Sequence, residues 1–300
     1  MSKVPFFKAK EIGERAWQIE YNFTDREHVY CYLVEGSEVA LVIDTMYGYG
    51  NLREFCETLT SKPLKLVNTH FHFDHTAGNF DFDSCYMHHL DIPAFYDSRT
   101  STPEEMLGRA KEEALDEYKD QMEASDFSMA RDMKVYPLYD GDLLDLGDRK
   151  IIVVDVGGHS PGSVVFVDPK LRIAFSGDAC NGNTLLDFGN ALPIETYLKN
   201  LLHFKHYQSE FDIMYGGHQV MPIETIDEAI ELCGKVLAGS DDHEERRGLF
   251  GQPVVYGAKH ADNGFGRADG KNFNLSYDPS RRFEGEKKPR VIDFKPASMF

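Results

Sequence analysis

The chain has 300 residues, of which 42% are hydrophobic and 12% aromatic, and its 50 acidic against 32 basic residues give a formal net charge of −18. That apolar content supports a packed core and excludes wholesale disorder, while so negative a field repels nucleic acid. No apolar run reaches the roughly 18 residues of a membrane span or suits a signal peptide. Five cysteines without CxxC spacing fit a reducing compartment, so the expectation is a cytoplasmic protein with no membrane partner.

In chain order, the β-branched and aromatic runs at 29–34 (VYCYLV) and 39–43 (VALVI), separated by EGSE, predict a hairpin. Apolar residues recur at three- and four-residue steps over 51–60, which predicts a helix, and PLKLVNT at 63–69 predicts a strand. Between Thr102 and Met133 the residues Leu107, Ala110, Ala114, Tyr118 and Met122 form an apolar stripe with charge opposite, an amphipathic helical insertion. Periodicity reports burial and not the partner, so the stripe lines a pocket wall or dimer contact near the site, or packs on the flank of the fold. Further strands are predicted at 151–156, 163–168, 172–178 and 211–217, with a helix at 194–207. From about Ser240 glycine, aspartate and basic residues dominate, which reads as a loop-rich extension. Its basic run, Arg281, Arg282, Lys287, Lys288 and Arg290, is read as a solvated tail. Tyr256, His260, Phe265 and Tyr277 there line a pocket or anchor the extension. Strand groups in both halves with helices between them favour an α+β sandwich of sheets covered by helices.

One stretch is anomalous. Asn68 to Asn79, NTHFHFDHTAGN, crowds His70, His72, Asp74 and His75 into six positions. On extended backbone His70 and His72 point the same way and can reach one ion, and Asp74 and His75 lie around a turn to reach a second. A catalytic zinc needs about three protein ligands and an open position, so further ligands must come from elsewhere. His159 in DVGGHSPGS, Asp178 in FSGDAC and His218 in MYGGHQV each follow a predicted strand beside glycine, where the backbone bends sharply. Together these are five histidines and two aspartates, the set needed for two ions and one bridging carboxylate.

This ordered His-x-His-x-Asp-His, His, Asp, His set resembles the metallo-β-lactamase-fold superfamily over roughly residues 15 to 235. The resemblance implies an αββα sandwich over 1–240, with the insertion at about 102–133 and residues 241–300 packed on the core as an extension. It implies that His70, His72 and His159 hold one metal, that Asp74, His75 and His218 hold the other, and that Asp178 bridges. Zinc is the expected ion, with iron or manganese also compatible with these donors. His72 stands where flavodiiron-type relatives carry Glu, which argues against an oxygen-reducing centre. Asp44 in LVIDT matches a family aspartate that supports the metal loop, although a strand-end turn explains it equally well.

The implied chemistry is hydrolysis by a hydroxide held between the ions, with Asp74 as the catalytic residue that orients it and moves its proton. Fold does not fix substrate. Lactamases of the family most often carry Cys at the position of Asp178, and Cys180 is two residues too late. Homoserine-lactone lactonases carry Tyr where Asn181 stands, which is an oxyanion donor or a turn residue. A glyoxalase II- or lactonase-like hydrolase of a small ester, thioester or lactone is the expectation, with a homodimer left open. A phosphodiesterase or nuclease-type member, or a noncatalytic metal-binding scaffold, are the alternatives. Neither is favoured: the charge opposes RNA, and none of the seven ligand positions is lost.

Overall fold

A computed structural model describes residues 4–26, 29–98, 101–248, 251–262, 264 and 266–285. The chain opens with an antiparallel pair, β1 (Phe7–Gly13) and β2 (Ala16–Tyr21), continued by β3 (Tyr30–Glu35) and β4 (Ala40–Ile43). β5 (Leu64–Val67), β6 (Ser84–His88) and β7 (Lys134–Leu138) then add in parallel, giving a seven-stranded sheet in sequence order. Parallel neighbours need crossovers. α1 (Leu52–Leu59) supplies the first, started by Asn51, whose side chain accepts from the Glu54 amide. α2 (Phe73–Thr76), a single turn, begins the second. α3 (Ile92–Asp97), α4 (Pro103–Glu113) and α5 (Asp116–Lys119) fill the third.

The second half lays down β8 (Leu143–Asp145), β9 (Lys150–Asp155), β10 (Val164–Asp168), β11 (Ile173–Gly177), β12 (Thr184–Leu186), β13 (Ile213–Gly216) and β14 (Val220–Pro222). All but β12 join a six-stranded sheet in the order β14-β13-β11-β10-β9-β8. α6 (Ile194–Lys205) and α7 (Thr225–Ala238) cover its outer face.

Side-chain alternation explains the layers. Tyr32 and Val34 of β3, Leu41 and Ile43 of β4, and Val164 and Phe166 of β10 meet in one cluster between the sheets. Cys31, Leu33, Ala40 and Val42 point the other way, toward α1 and α4, while Val165 and Val167 face α6 and α7. Strands buried on both faces read as continuous apolar runs, which is why these were visible in the sequence. The result is the αββα sandwich.

Two regions depart in detail from the reading of the sequence. The insertion is not one helix. A capping box at Thr102 and Glu105 starts α4, which stops at Glu113, and α5 and a 3-10 turn at Ala124–Asp126 follow. Ala110, Ala114 and Met122 lie in the cluster that also holds Phe6, Phe23 and Phe127, with Leu107 and Tyr118 packed against it. The stripe thus packs on the sandwich flank. The extension carries regular structure as well: β15 (Glu244–Arg247), β16 (Pro253–Tyr256) and β17 (Leu275–Tyr277) join β12 in a four-stranded sheet ordered β12-β17-β16-β15. Tyr277 is buried in the cluster that holds α6 and α7 and so anchors the extension, its hydroxyl donating to Asp241, while Tyr256 meets the His260 ring within the extension. Phe265, Lys287, Lys288 and Arg290 lie outside the described residues.

Candidate metal centre

The strand ends converge on one rim. The loop after β5 delivers Thr69, His70 and His72, α2 carries Asp74 and His75, the turn after β9 carries His159, Asp178 directly follows β11, and the turn after β13 carries His218. Glycine makes the approach feasible. A Cβ on Gly177, where φ is +48°, would stand 2.3 Å from the Thr69 Oγ1, and one on Gly217 would stand 2.3 Å from the His75 ring.

All seven candidates come together, in two groups. Ligand atoms of His70, His72 and His159 lie within 4.8 Å of one another, as do those of Asp74, His75, Asp178 and His218. His72 Nδ1 and His159 Nε2 are 2.8 Å apart. Asp178 Oδ2 stands 3.8 Å from His159 Nε2, 3.6 Å from His75 Nε2 and 3.5 Å from His218 Nε2. One carboxylate oxygen therefore reaches both groups. Asp74 Oδ2 lies 3.3 Å from His218 Nε2.

Hydrogen bonds behind the rim fix which nitrogen faces inward. His159 Nδ1 pairs with the Leu185 carbonyl at 2.8 Å, so it carries the hydrogen and Nε2 keeps its lone pair. His75 Nδ1 pairs with Asp44 Oδ2 at 2.8 Å. His70 Nδ1 lies 3.1 Å from Thr69 Oγ1, whose own hydrogen goes to Asp44 Oδ2 at 2.7 Å. His70 Nε2, His75 Nε2 and Asp178 Oδ1 are buried and have no hydrogen-bond partner among the described residues. Buried polar atoms without partners are rare, and here they share one centre.

The electrostatics agree. Burial and three neighbouring imidazoles push His70 well below the usual histidine range, and burial with His159 pushes His72 down to about 3. Burial opposes charge on the other group too, yet Asp178 and Asp74 raise His218 to about 10, and Asp74, Asp178 and Asp44 lift His75. Burial likewise disfavours ionised carboxyls, but His75 and His218 hold Asp74 at about 2 and keep Asp178 low. Neutral imidazoles facing one centre, and carboxylates that draw protons onto their neighbours, form a donor set that fits divalent cations.

The chain matches the sequence pattern described as "Metallo-beta-lactamase superfamily" over residues 24–206. It belongs to that superfamily. Among curated relatives in this superfamily, the human and bovine proteins named acyl-coenzyme A thioesterase MBLAC2 are each 30% identical over 201 residues, spanning 63% of this chain and 71% of theirs. A metallo-beta-lactamase from Pontibacter korlensis superposes with a TM-score of 0.56 at 15% identity, over 76% of this chain and 99% of its own. The DIM-1 metallo-beta-lactamase gives 0.55 at 18%, over 78% and 99%. At such identities the structural likeness is one of fold alone.

Asp44 takes the Thr69 amide as well, at 2.8 Å, so one carboxylate at the end of β4 holds both Thr69 and His75. Asn181 is a turn residue: its side-chain oxygen accepts from the Asn183 amide and the Thr184 hydroxyl. Cys180 is a packed thiol, pushed up to about 12 by burial. Two residues escaped the sequence. Buried Asp91 accepts from the Phe71 amide at 3.1 Å and from the Ser160 hydroxyl and Gly162 amide at 2.6 Å each, so it ties the His72 loop to the His159 loop. Phe188 sets its ring 5.5 Å from that of His72 and 5.6 Å from that of His159. Neither belongs to a motif; only contact in space marks them.

Proposed function

We propose that the protein is a hydrolase of thioesters of the acyl-coenzyme A type, working at a dinuclear zinc site. His70, His72 and His159 would hold one ion, Asp74, His75 and His218 the other, with Asp178 between them. The observation that carries this reading is the position of Asp178 Oδ2, within 3.8 Å of imidazole nitrogens from both groups. A donor set of nitrogen and carboxylate oxygen without thiolate suits zinc; iron and manganese accept the same donors, and elemental analysis distinguishes them. Bound ions supply Lewis-acid polarisation of the carbonyl and acidify water at neutral pH.

The chain's own groups do the rest. Asp74 is the catalytic residue: its carboxylate orients the attacking water toward the thioester carbon and receives the proton as the carbon–oxygen bond forms. The carbon–sulfur bond then breaks, the thiolate leaves, and the proton on Asp74 is returned to it. Phe71 and Phe188 stand beside the His72 ring and exclude water from one side of the centre. The thioester bond is supported by the names of the relatives, and the superfamily pattern spans the loop of residues 70–75.

Elemental analysis combined with a panel of acyl-coenzyme A, p-nitrophenyl ester, lactone and phosphodiester substrates tests the reading. Close to two ions per chain and a kcat/KM for the thioester about a hundredfold above the others are expected. Asp74→Asn should retain metal and lose two or more orders of magnitude in kcat. A chain that holds one ion or none in excess zinc, or ignores thioesters while cleaving another class, overturns it.

A further inference from the structure

The C-terminal sheet carries an open groove of about 740 Å³, lined among others by Asp187, Arg246, Arg247, Pro253, Val254 and Tyr277. That volume suits a cofactor-sized ligand. The groove adjoins the metal centre through one short segment. Leu185 accepts from His159, Phe188 packs on His72 and His159, and Asp187 between them lines the groove.

The lining has a specific chemistry. Pro253, Val254, Val255 and Pro279 supply an apolar part of the lining, with Val254 buried and Pro253 exposed. Arg246 and Arg247 are exposed on β15. Among the described residues neither guanidinium has a carboxylate within 4.0 Å, and Arg247 donates only to the Gly251 carbonyl. Two exposed arginines side by side, of which only Arg246 feels a nearby carboxylate, that of Glu244, stand out in a chain of net charge −18. The acids of the groove are mostly engaged within the fold. Asp187 accepts from Ser276 and Gln252, and Asp278 accepts from Ser280 and Arg281. Glu245 is a further carboxylate in the lining.

We propose that this groove binds the phosphorylated nucleotide end of the coenzyme A moiety, with Arg246 and Arg247 on its phosphates and the apolar part of the lining against its base. Guanidinium forks match phosphate oxygens, and a ring system gains affinity from a surface that sheds water. The thioester end would pass Asp187 and Phe188 to reach the metal centre. The inference rests on the thioesterase reading for its substrate, but the groove can be tested without turnover.

The experiment compares the full-length, metal-loaded chain with Arg246→Glu/Arg247→Glu in two measurements. Calorimetry with coenzyme A alone reads the groove directly; affinity is expected to fall about ten- to a hundredfold, the scale of lost charge-assisted hydrogen bonds. Kinetics read the ratio of kcat/KM for an acyl-coenzyme A to that for the same acyl group on N-acetylcysteamine, which lacks the nucleotide, and this ratio should fall by a similar factor. Glu245→Gln should shift both in the opposite direction. Unchanged coenzyme A affinity, or an unchanged ratio, overturns the proposal. A wild-type chain that cleaves neither thioester refutes the thioesterase reading instead, and the coenzyme A titration still decides the groove.

Discussion

Asp44 accepts from His75 Nδ1 at 2.8 Å while its own backbone sits in the left-handed region, at φ = +62°. The same carboxylate takes the Thr69 amide and hydroxyl. A strained backbone held in place by its side-chain contacts is characteristic of functional sites. Here the strain aims one carboxylate at three donors and leaves His75 Nε2 facing the centre. Asp44→Ala should therefore weaken metal affinity by about ten- to a hundredfold, the usual effect of losing a partner behind a ligand. Asp44→Asn, which tolerates this backbone region, should lose less. Competition against a chromophoric zinc chelator measures both. An alanine variant that holds its metal as tightly as the wild type would show that Asp44 merely shapes the turn.

The seven candidate donors were legible because the pattern that groups them is one of residue identity and order along the chain, and the fold brings all seven together. The supports behind them were not. Asp44 was half-visible as the last residue of an apolar strand, but Asp91 works through contacts to Phe71, Ser160 and Gly162 that are 20 to 71 positions away. The sandwich strands were legible because burial on both faces leaves unbroken apolar runs. β1 is exposed along most of its length, and FKAKEIG gives no such run. β15 reads EERR, with three exposed residues, and is a strand only because β16 pairs with it. Tertiary pairing created those strands, and local preference did not announce them.

The insertion's apolar stripe could have lined a pocket, and its packing now predicts otherwise. Met122 is 3% exposed in the cluster shared with Phe6, Phe23 and Phe127. Met122→Ala should cost about 2–4 kcal/mol of stability, the range for emptying a buried methionine site. KM across acyl chain lengths should stay within twofold. Denaturant unfolding and a chain-length series measure the two effects. A rise in KM confined to long acyl chains, with stability unaltered, would return the insertion to the substrate pocket.

Asp81 offers a pH test away from the metal centre. Its carboxylate accepts from the Leu52 amide at 2.8 Å and from the Ser128 hydroxyl, and burial raises it from 3.8 to about 6. The folded chain thus holds this proton more tightly than the unfolded chain does. Stability from this group is fully present below about pH 4 and is lost as pH rises through 6, by on the order of 2–3 kcal/mol. In Asp81→Asn the amide oxygen can still accept from Leu52, and the amide can donate to Ser128. The difference in unfolding free energy, variant minus wild type, should therefore grow between pH 4 and 6.5 in favour of the variant and then level off. A flat difference over that range would mean that Asp81 titrates normally.

Arg281 was read as part of a solvated tail, yet its guanidinium donates to the carbonyls of Asp187, Phe188, Gly189 and Ala191 while Nε reaches Asp278. Four of these contacts hold the segment that sets Phe188 against His72 and His159. Lysine cannot reproduce a fork. Arg281→Lys should therefore behave much like Arg281→Ala, with both losing about 1–3 kcal/mol of stability. Both should also lose hydrogen-exchange protection at the amides of residues 187–191. If Phe188 depends on this latch, kcat/KM for thioesters should fall in both variants with metal content unchanged. The deciding comparison is with Phe188→Ala, because combining it with Arg281→Ala should add little to the kinetic loss of either alone. Fully additive losses would mean that the two residues act separately and that Arg281 merely ties the extension to the core.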